Sequence, residues 1–270
     1  MTGAPAIRIM GIVNVTPDSF SDGGKFAELR AAVTQADKLI AAGADILDVG
    51  GESTRPFAEP VSTEEELRRV IPLIDAVRQK HTIPISIDTT KAVVAREALK
   101  AGADIINDIS ALQKDPEMIT VAQQTDAPVI IMHMQGTPSD MQVKPVYHDV
   151  VAEIMDFFTE RIDWITGNGV DRNRLIIDPG IGFGKTLRHN LSLLKHLDKF
   201  SALKLPVLLG HSRKRFLGTI TGIPAEEQRD LATAVVAALC ATKTISIVRV
   251  HNVAATRQAL LVAKALQTAE

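Results

Sequence analysis

Short apolar runs alternate with amphipathic stretches along the whole chain, eight of each. The apolar runs fall at residues 7–13, 45–49, 85–87, 104–106, 129–132, 175–177, 207–209 and 246–250. The amphipathic stretches follow at residues 29–42, 63–80, 92–101, 116–124, 150–168, 190–200, 226–242 and 254–266. The runs are apolar throughout rather than alternating, as expected of parallel strands covered on both faces. Eight strand–helix units without a gap predict a closed parallel barrel or a doubly wound sheet. The chain's 270 residues match the roughly 250 that one such barrel typically uses. The expected fold is α/β, a single (β/α)8 TIM barrel with its active site at the C-terminal ends of the strands. Residues 1–270 read as one domain, because no linker, low-complexity tract or composition shift divides them.

Two recurrences agree with this. Ala42-Gly43-Ala44-Asp45-Ile46-Leu47-Asp48 resembles Ala101-Gly102-Ala103-Asp104-Ile105-Ile106-Asn107, and the offset from 42 to 101 is 59 residues, or two strand–helix units. In both copies the glycine ends a helix, where a left-handed residue is favoured. Proline also stands just ahead of three strands, at Pro84, Pro128 and Pro206, where no ladder donor is lost. Composition excludes several function classes. The net charge is −2 with acids and bases interspersed, which argues against a nucleic-acid or anionic-membrane partner. The one cysteine, Cys240, suits a reducing compartment. The N-terminus has no basic or apolar leader pattern, and the longest apolar stretch, residues 231–242, is shorter than the roughly 18 residues of a membrane span. A cytoplasmic protein is expected.

The polar residues are concentrated after the strands. Strand 1 is followed by Asn14-Val15-Thr16-Pro17-Asp18-Ser19-Phe20-Ser21-Asp22-Gly23-Gly24 and strand 2 by Gly50-Gly51-Glu52-Ser53-Thr54-Arg55-Pro56. Asp88 follows strand 3, Asn107-Asp108 ends strand 4, His133-Met134 follows strand 5 and Asp178-Pro179-Gly180 follows strand 6. Strand 7 delivers Gly210-His211-Ser212-Arg213-Lys214, and strand 8 ends in Arg249-Val250-His251-Asn252. All eight strands thus place polar groups at one barrel mouth, the face where barrel enzymes build their sites. Asp88, Asn107 and Asp178 match a flat heterocycle with an edge of N–H donors and ring acceptors. Arg55, Arg213, Lys214, Arg249 and His251 supply positive charge that suits a phosphate or pyrophosphate. Asn14 with Asp22 could hold a hard cation such as Mg2+.

Residues 14–24, 50–56, 107–108, 178–184, 212–214 and 249–251 resemble the signature blocks of the dihydropteroate synthase family, and the likeness runs from about residue 9 to residue 260. The resemblance implies condensation of 6-hydroxymethyl-7,8-dihydropterin pyrophosphate with p-aminobenzoate, giving 7,8-dihydropteroate and pyrophosphate in folate biosynthesis. It also implies a sulfonamide target, a homodimer through the late helices, and Mg2+ near Asn14 and Asp22. By the same resemblance Asp88, Asn107, Asp178 and Lys214 read the pterin edge, with Met134, Phe183 and Gly210 lining its slot. Asn14, Arg55, Arg249 and His251 hold the pyrophosphate. Thr54, Phe20, Pro56, Ser212 and the stem of Lys214 form the p-aminobenzoate site. Asp88, Lys214, Arg249 and His251 are the residues expected to carry the chemistry. The chain departs from the family pattern at Phe57, usually a small position, at His211, a titratable residue ahead of Ser212, and at Asn252, where Asp is common.

Each residue also has a plainer reading. Asp88 and Ser212 are plausible helix N-caps, Asp178-Pro179-Gly180 is a plausible turn, and His251 and His133 are plausible satisfied structural histidines. Gly50 and Gly51 could serve only close backbone packing. Gly182-Phe183-Gly184-Lys185 is too short for a nucleotide-binding phosphate loop. Two other functions share parts of the pattern. A pterin-binding methyltransferase acting on a corrinoid protein would not need Ser212-Arg213-Lys214 or the long first loop. A non-catalytic barrel would carry degenerate loops.

Overall fold

In the computed structural model, which describes residues 7–15, 25–55, 58–138 and 140–269, the strands and helices alternate as the hydrophobic runs require. The order is β1 (Arg8–Asn14), α1 (Lys25–Ala41), β2 (Ile46–Gly50), α2 (Thr63–Arg78), β3 (Ile85–Asp88), α3 (Ala92–Lys100), β4 (Ile105–Asp108) and α4 (Met118–Gln123). Then come β5 (Val129–Met132), α5 (Val150–Gly167), β6 (Leu175–Asp178), α6 (Leu187–Lys195), β7 (Leu208–Leu209), α7 (Arg215–Thr221), α8 (Asp230–Cys240), β8 (Ile247–Val250) and α9 (Val253–Thr268). The strands form one parallel sheet in the order β6-β5-β4-β3-β2-β1-β8-β7. A single bridge between Ile177 and Val207 joins β6 to β7 and closes the ring. The architecture is a (β/α)8 barrel.

Three helical details differ from the periodicity. The helix expected at 190–200 starts earlier, at Leu187, because Thr186 and His189 cap it reciprocally; it gives way to a 3-10 turn at Leu197–Leu203. The one expected at 226–242 begins as a 3-10 turn, Glu226–Arg229, before α8 proper. The short helix α7 was not expected at all. Its seven residues end at Gly222 with φ of 74°, and a pattern that short carries little periodic signal.

Strand register explains where the polar residues end up. Met10, Ile46, Ile105, Ile130, Ile176, Leu208 and Ile247 pack together as one cluster inside the barrel. Side chains two residues on lie on the same face of each strand, so the next layer toward the mouth contains Asp48, Asn107, Met132, Asp178, Gly210 and Arg249. Pairing sets Asp88 opposite Gly50 and Asn107, and Asp178 opposite Met132, while the stagger of the strands sets Arg249 opposite Met10 of the floor. An apolar floor thus turns polar two residues on along β2, β4, β6 and β8, at Asp48, Asn107, Asp178 and Arg249.

The sequence repeat has a physical counterpart. Asp45 and Asp104 each stand just ahead of a strand, and each carboxylate accepts the backbone N–H of the neighbouring strand, Ile9 at 2.8 Å and Ile85 at 2.8 Å. Gly43 and Gly102 have φ of 93° and 109°. They reverse the chain at the helix ends, and a side chain at either would strike an arginine, Arg257 or Arg78.

Candidate active site

The buried centre of the mouth is a chain of carboxylates, an amide and a guanidinium. Arg249 donates from Nε to Asp48 and from Nη2 to Asp88, both at 2.6 Å. Asn107 donates from Nδ2 to the two oxygens of Asp48 at 3.2 and 3.4 Å. Its amide nitrogen is thereby turned away from the mouth, which leaves Oδ1 as the acceptor presented to a ligand. Asp48 is fully buried, and Asp88 and Asn107 nearly so. Burial pushes the Asp88 carboxyl up to about 7, with Arg249 pulling the other way. Burial also opposes the charge of Arg249, but Asp48 and Asp88 together hold its pKa above the ordinary value.

A second polar wall stands opposite, on β6 and the loop after β7. Asp178 accepts the Gly180 N–H at 2.8 Å, so the turn reading of Asp178-Pro179-Gly180 is correct for one oxygen. The other oxygen would lie 3.2 Å from a Cβ on Gly210, a contact that keeps this neighbour small. Burial raises the Asp178 pKa against the pull of Lys214. Lys214 donates to the Ile181 carbonyl, and its Nζ sits 4.4 Å over the Phe183 ring. Burial pushes the ammonium down to about 7, with Asp178 opposing. Ile109, Met132, Met141 and Phe183, with Met134 against them, make an apolar patch between the two walls. A cavity of about 250 Å3 lies on the Asp88 side of this patch, lined in part by Thr54, Glu66, Asp88, Thr89, Ile109 and Met134 and not by Asp178, Phe183 or Lys214. Two hydrogen-bonding walls across an apolar slot suit a flat, polar-edged ring.

Beyond Arg249 the mouth is shaped by β7 and β8. Ser212 Oγ lies 2.9 Å from His251 Nδ1 and accepts the His251 backbone N–H at 3.2 Å. The hydroxyl also pairs with Nδ1, donating to it when the imidazole proton is on Nε2 and accepting from it when the proton is on Nδ1. Burial, reinforced by Arg213 and Arg249, pushes His251 down to about 3. His251 is therefore a neutral imidazole rather than the positive charge expected of it. Arg213 is also diverted: it forms a fork on Asp230 at 2.6 and 2.9 Å. Its φ of 59° turns the chain so that this cation anchors α8. Arg55 is exposed and pairs with Glu226 at 2.9 Å, but its charge is felt at His251.

Asn14 ends β1 opposite Gly50, with its Oδ1 3.7 Å from where a Gly50 Cβ would stand, next to Asp88. A carboxamide oxygen at the rim is a donor a hard cation accepts. Among the described residues no three His, Cys, Asp or Glu side chains gather to hold a metal. Phe20, Asp22, Pro56 and Phe57 lie outside the described residues.

The plainer readings divide. Neither Asp88 nor Ser212 is a helix cap, since α3 and α7 start after Lys91 and Lys214. Gly51 does serve packing, because a Cβ there would meet Val70 at 2.9 Å. His133 is structural, buried edge-on against Phe157 at 4.8 Å between ring centroids. His211 is fully buried with Nε2 on the Thr233 carbonyl at 2.9 Å. Burial pushes it down to about 4, so it does not titrate near neutrality as its place ahead of Ser212 suggested. Asp48 is the one central residue that motif reading missed. The repeat carried the signal, for it aligns Asp48 with Asn107, and the two side chains bond each other.

A family model described as "Pterin binding enzyme" matches residues 10–251. Dihydropteroate synthase from Synechocystis sp. is 48% identical over 258 residues, covering 96% of this chain and 89% of that protein. This chain belongs to the dihydropteroate synthase family. Among solved structures, a Xanthomonas albilineans dihydropteroate synthase with 4-aminobenzoic acid superposes with a TM-score of 0.93 at 47% identity, covering 98% of this chain and 95% of that one. The same organism's dihydropteroate synthase in complex with 7,8-dihydropteroate gives 0.90 at 44% identity, with coverage of 98% and 95%. The dihydropteroate synthase likeness therefore extends over the length of the barrel. Among the described residues no helix is long and apolar enough to cross a membrane.

Proposed function

We propose that the chain condenses 6-hydroxymethyl-7,8-dihydropterin pyrophosphate with p-aminobenzoate to give 7,8-dihydropteroate and pyrophosphate. The observation that carries this is the pair of facing walls, Asp88 and Asn107 on one side and Asp178 with Lys214 on the other. Together they offer carboxylate and amide acceptors to ring N–H groups, and an ammonium to a ring acceptor. The pterin would lie between them against Met134, Phe183 and Gly210. Arg249 and the Nε2–H of His251, assisted by Asn14 and Arg55, would receive the pyrophosphate. The carbon–oxygen bond breaks with its electron pair on the pyrophosphate, which these donors stabilise. The resulting positive charge spreads into the pterin, beside Asp88. The aniline nitrogen then attacks the methylene carbon and loses a proton. Thr54, Ser212 and the stem of Lys214, with Phe20 and Pro56, would hold p-aminobenzoate. Mg2+ would be held by Asn14 and Asp22 and would neutralise charge on the pyrophosphate.

A homodimer is supported by α8 and α9. Leu231, Val235 and Leu239 recur every fourth residue along α8, and Leu261, Val262 and Leu266 lie on α9; all six are exposed. An apolar patch of this kind marks an interaction surface. The cytoplasm is the compartment that fits the thiol of Cys240. Pyrophosphate release tests the activity. It should appear when the purified chain is given the pterin pyrophosphate and p-aminobenzoate together, in step with dihydropteroate. No release, or release with both substrates present that yields no dihydropteroate, would refute the assignment.

A further inference from the structure

Four successive carbonyls in the loop after β6 each receive a side-chain donor. Lys214 Nζ donates to Ile181, Gln142 Nε2 to Gly182 at 2.6 Å, Lys185 Nζ to Phe183 at 2.9 Å, and the Tyr147 hydroxyl to Gly184 at 3.0 Å. Two amides of the loop are also held: Gly180 N–H by Asp178, and Gly182 N–H by Asn190 at 2.7 Å. The loop is largely buried, and its backbone groups meet their need for partners there through side chains rather than through a neighbouring strand.

Lys185 is the centre of the arrangement. It is 3% exposed and touches neither wall of the slot. An ammonium has three donors, and three acceptors lie around this one: the Phe183 carbonyl at 2.9 Å, His133 Nδ1 at 3.0 Å and the His133 carbonyl at 3.4 Å. It thereby ties the loop after β6 to the segment after β5. That segment is braced in turn by Gln135, whose side chain and the Val146 backbone exchange two hydrogen bonds at 3.0 Å. The chains also meet at Gly184, where a Cβ would run into the Gln135 backbone. Burial, reinforced by Lys214, holds the Lys185 pKa well below the ordinary value, so the position is costly and gains its stability from these partners.

Among the described residues Lys214 Nζ meets the Ile181 carbonyl and the Phe183 ring, and both belong to this loop. We propose that Lys185 is a positioning residue for the reaction: from beneath the slot it fixes the Phe183 ring and the Ile181 carbonyl, and through them the ammonium of Lys214 that meets the pterin. Tyr147 and Gln142 serve the same loop from its outer side. The inference rests on the pterin reading of the slot.

The test separates the pterin end of the mouth from the pyrophosphate end. Lys185→Met keeps the buried stem and removes Nζ. Calorimetry should show binding of pterin-6-carboxylate weakened at least tenfold, with pyrophosphate affinity, set by Arg249 and His251, changed less than twofold. Tyr147→Phe, which removes a single hydroxyl, should weaken the pterin about threefold in the same sense. A purely structural role would lower the unfolding midpoint and leave both affinities of the folded protein unchanged, or reduce both equally; either result overturns the proposal. If Lys185→Met does not fold, Tyr147→Phe and Gln142→Ala decide by the same criterion. A wild-type protein that does not bind the pterin overturns the reading of the slot and this inference with it. Binding by wild type and equal binding by the variants overturns this inference alone.

Discussion

Replacing Asp48 by asparagine is the sharpest perturbation of this site, because it changes one atom in the middle of the network. Asp48 is fully buried, and accepts from Arg249 at 2.6 Å and from Asn107 at 3.2 and 3.4 Å. The asparagine keeps one acceptor, which Arg249 Nε will claim, and Arg249 retains Asp88. The guanidinium is therefore not stranded, and the cost stays below the roughly 3–5 kcal/mol of a broken buried pair. Loss of one charge-assisted bond costs about 1.5–3 kcal/mol. For a chain of this size that lowers Tm by roughly 3–10 °C. The catalytic effect comes from Asn107. An amide NH2 at position 48 would face the Asn107 NH2, so Asn107 must turn over and show the mouth a donor in place of its acceptor. A pterin N–H would then meet N–H, and a lost hydrogen bond with an unpaired donor costs about 1–3 kcal/mol. The expected result is a fall in kcat/KM for the pterin pyrophosphate of roughly tenfold to a hundredfold, while KM for p-aminobenzoate hardly moves. Differential scanning fluorimetry and steady-state kinetics read the two effects. A variant with the wild-type midpoint and kcat/KM would refute the network as described.

Four further outcomes are expected. Lys214, pushed down to about 7 by burial, regains its proton when an anion binds beside it, so calorimetry at pH 8 in buffers of different ionisation enthalpy should show proton uptake with the pterin pyrophosphate; heats that do not depend on buffer would refute it. The sign for stability follows: between about 7 and the ordinary lysine range the unfolded chain binds more protons, so this group's contribution to stability rises with pH in the ligand-free enzyme. If the Ser212 hydroxyl donates to His251 Nδ1 and so aims Nε2–H at the pyrophosphate, Ser212→Ala frees the tautomer and should weaken pyrophosphate binding by about 1 kcal/mol, roughly fivefold; unchanged binding would mean the pair does not set the tautomer. Asp178→Asn should weaken pterin binding by about 1–3 kcal/mol, and equal affinity by calorimetry would reduce Asp178 to a turn residue. Removing Mg2+ with EDTA should abolish turnover and restoring Mg2+ should recover it, whereas full activity in excess chelator would exclude the metal.

The barrel was legible because fully buried parallel strands leave uninterrupted apolar runs, and every strand lies within about two residues of its expected place. The helix α7 was not, being too short to show a period. At the mouth, position after a strand located the residues but not the direction of their side chains. Arg213 belongs to the same tripeptide as Lys214 and Ser212, yet a positive φ sends it to Asp230. His251 had the right place and a different charge, because burial among cations is a tertiary property. Asp48 lay inside an apolar run and was counted as strand, although its repeat partner Asn107 had been singled out. Lys185 was passed over with a glycine-rich tetrapeptide that binds no nucleotide, and its burial emerges only when the two loops meet.

The closure of the barrel by one bridge, Ile177 to Val207, has a mechanical consequence. Seven of the eight joints in the ring are continuous ladders, and the stiffness of such a ring is set by the eighth. β7 contributes only Leu208 and Leu209 as strand, so this joint can open with few hydrogen bonds lost. Asp178 stands on one side of it and Lys214 on the other. A molecule gripped by both spans the gap like a clamp across a split hoop, and the free energy of that grip adds to the resistance of the ring to opening. The two edges of the joint should then exchange their amide hydrogens more slowly when the slot is filled, and the strands on the far side, β2 and β3, should scarcely respond.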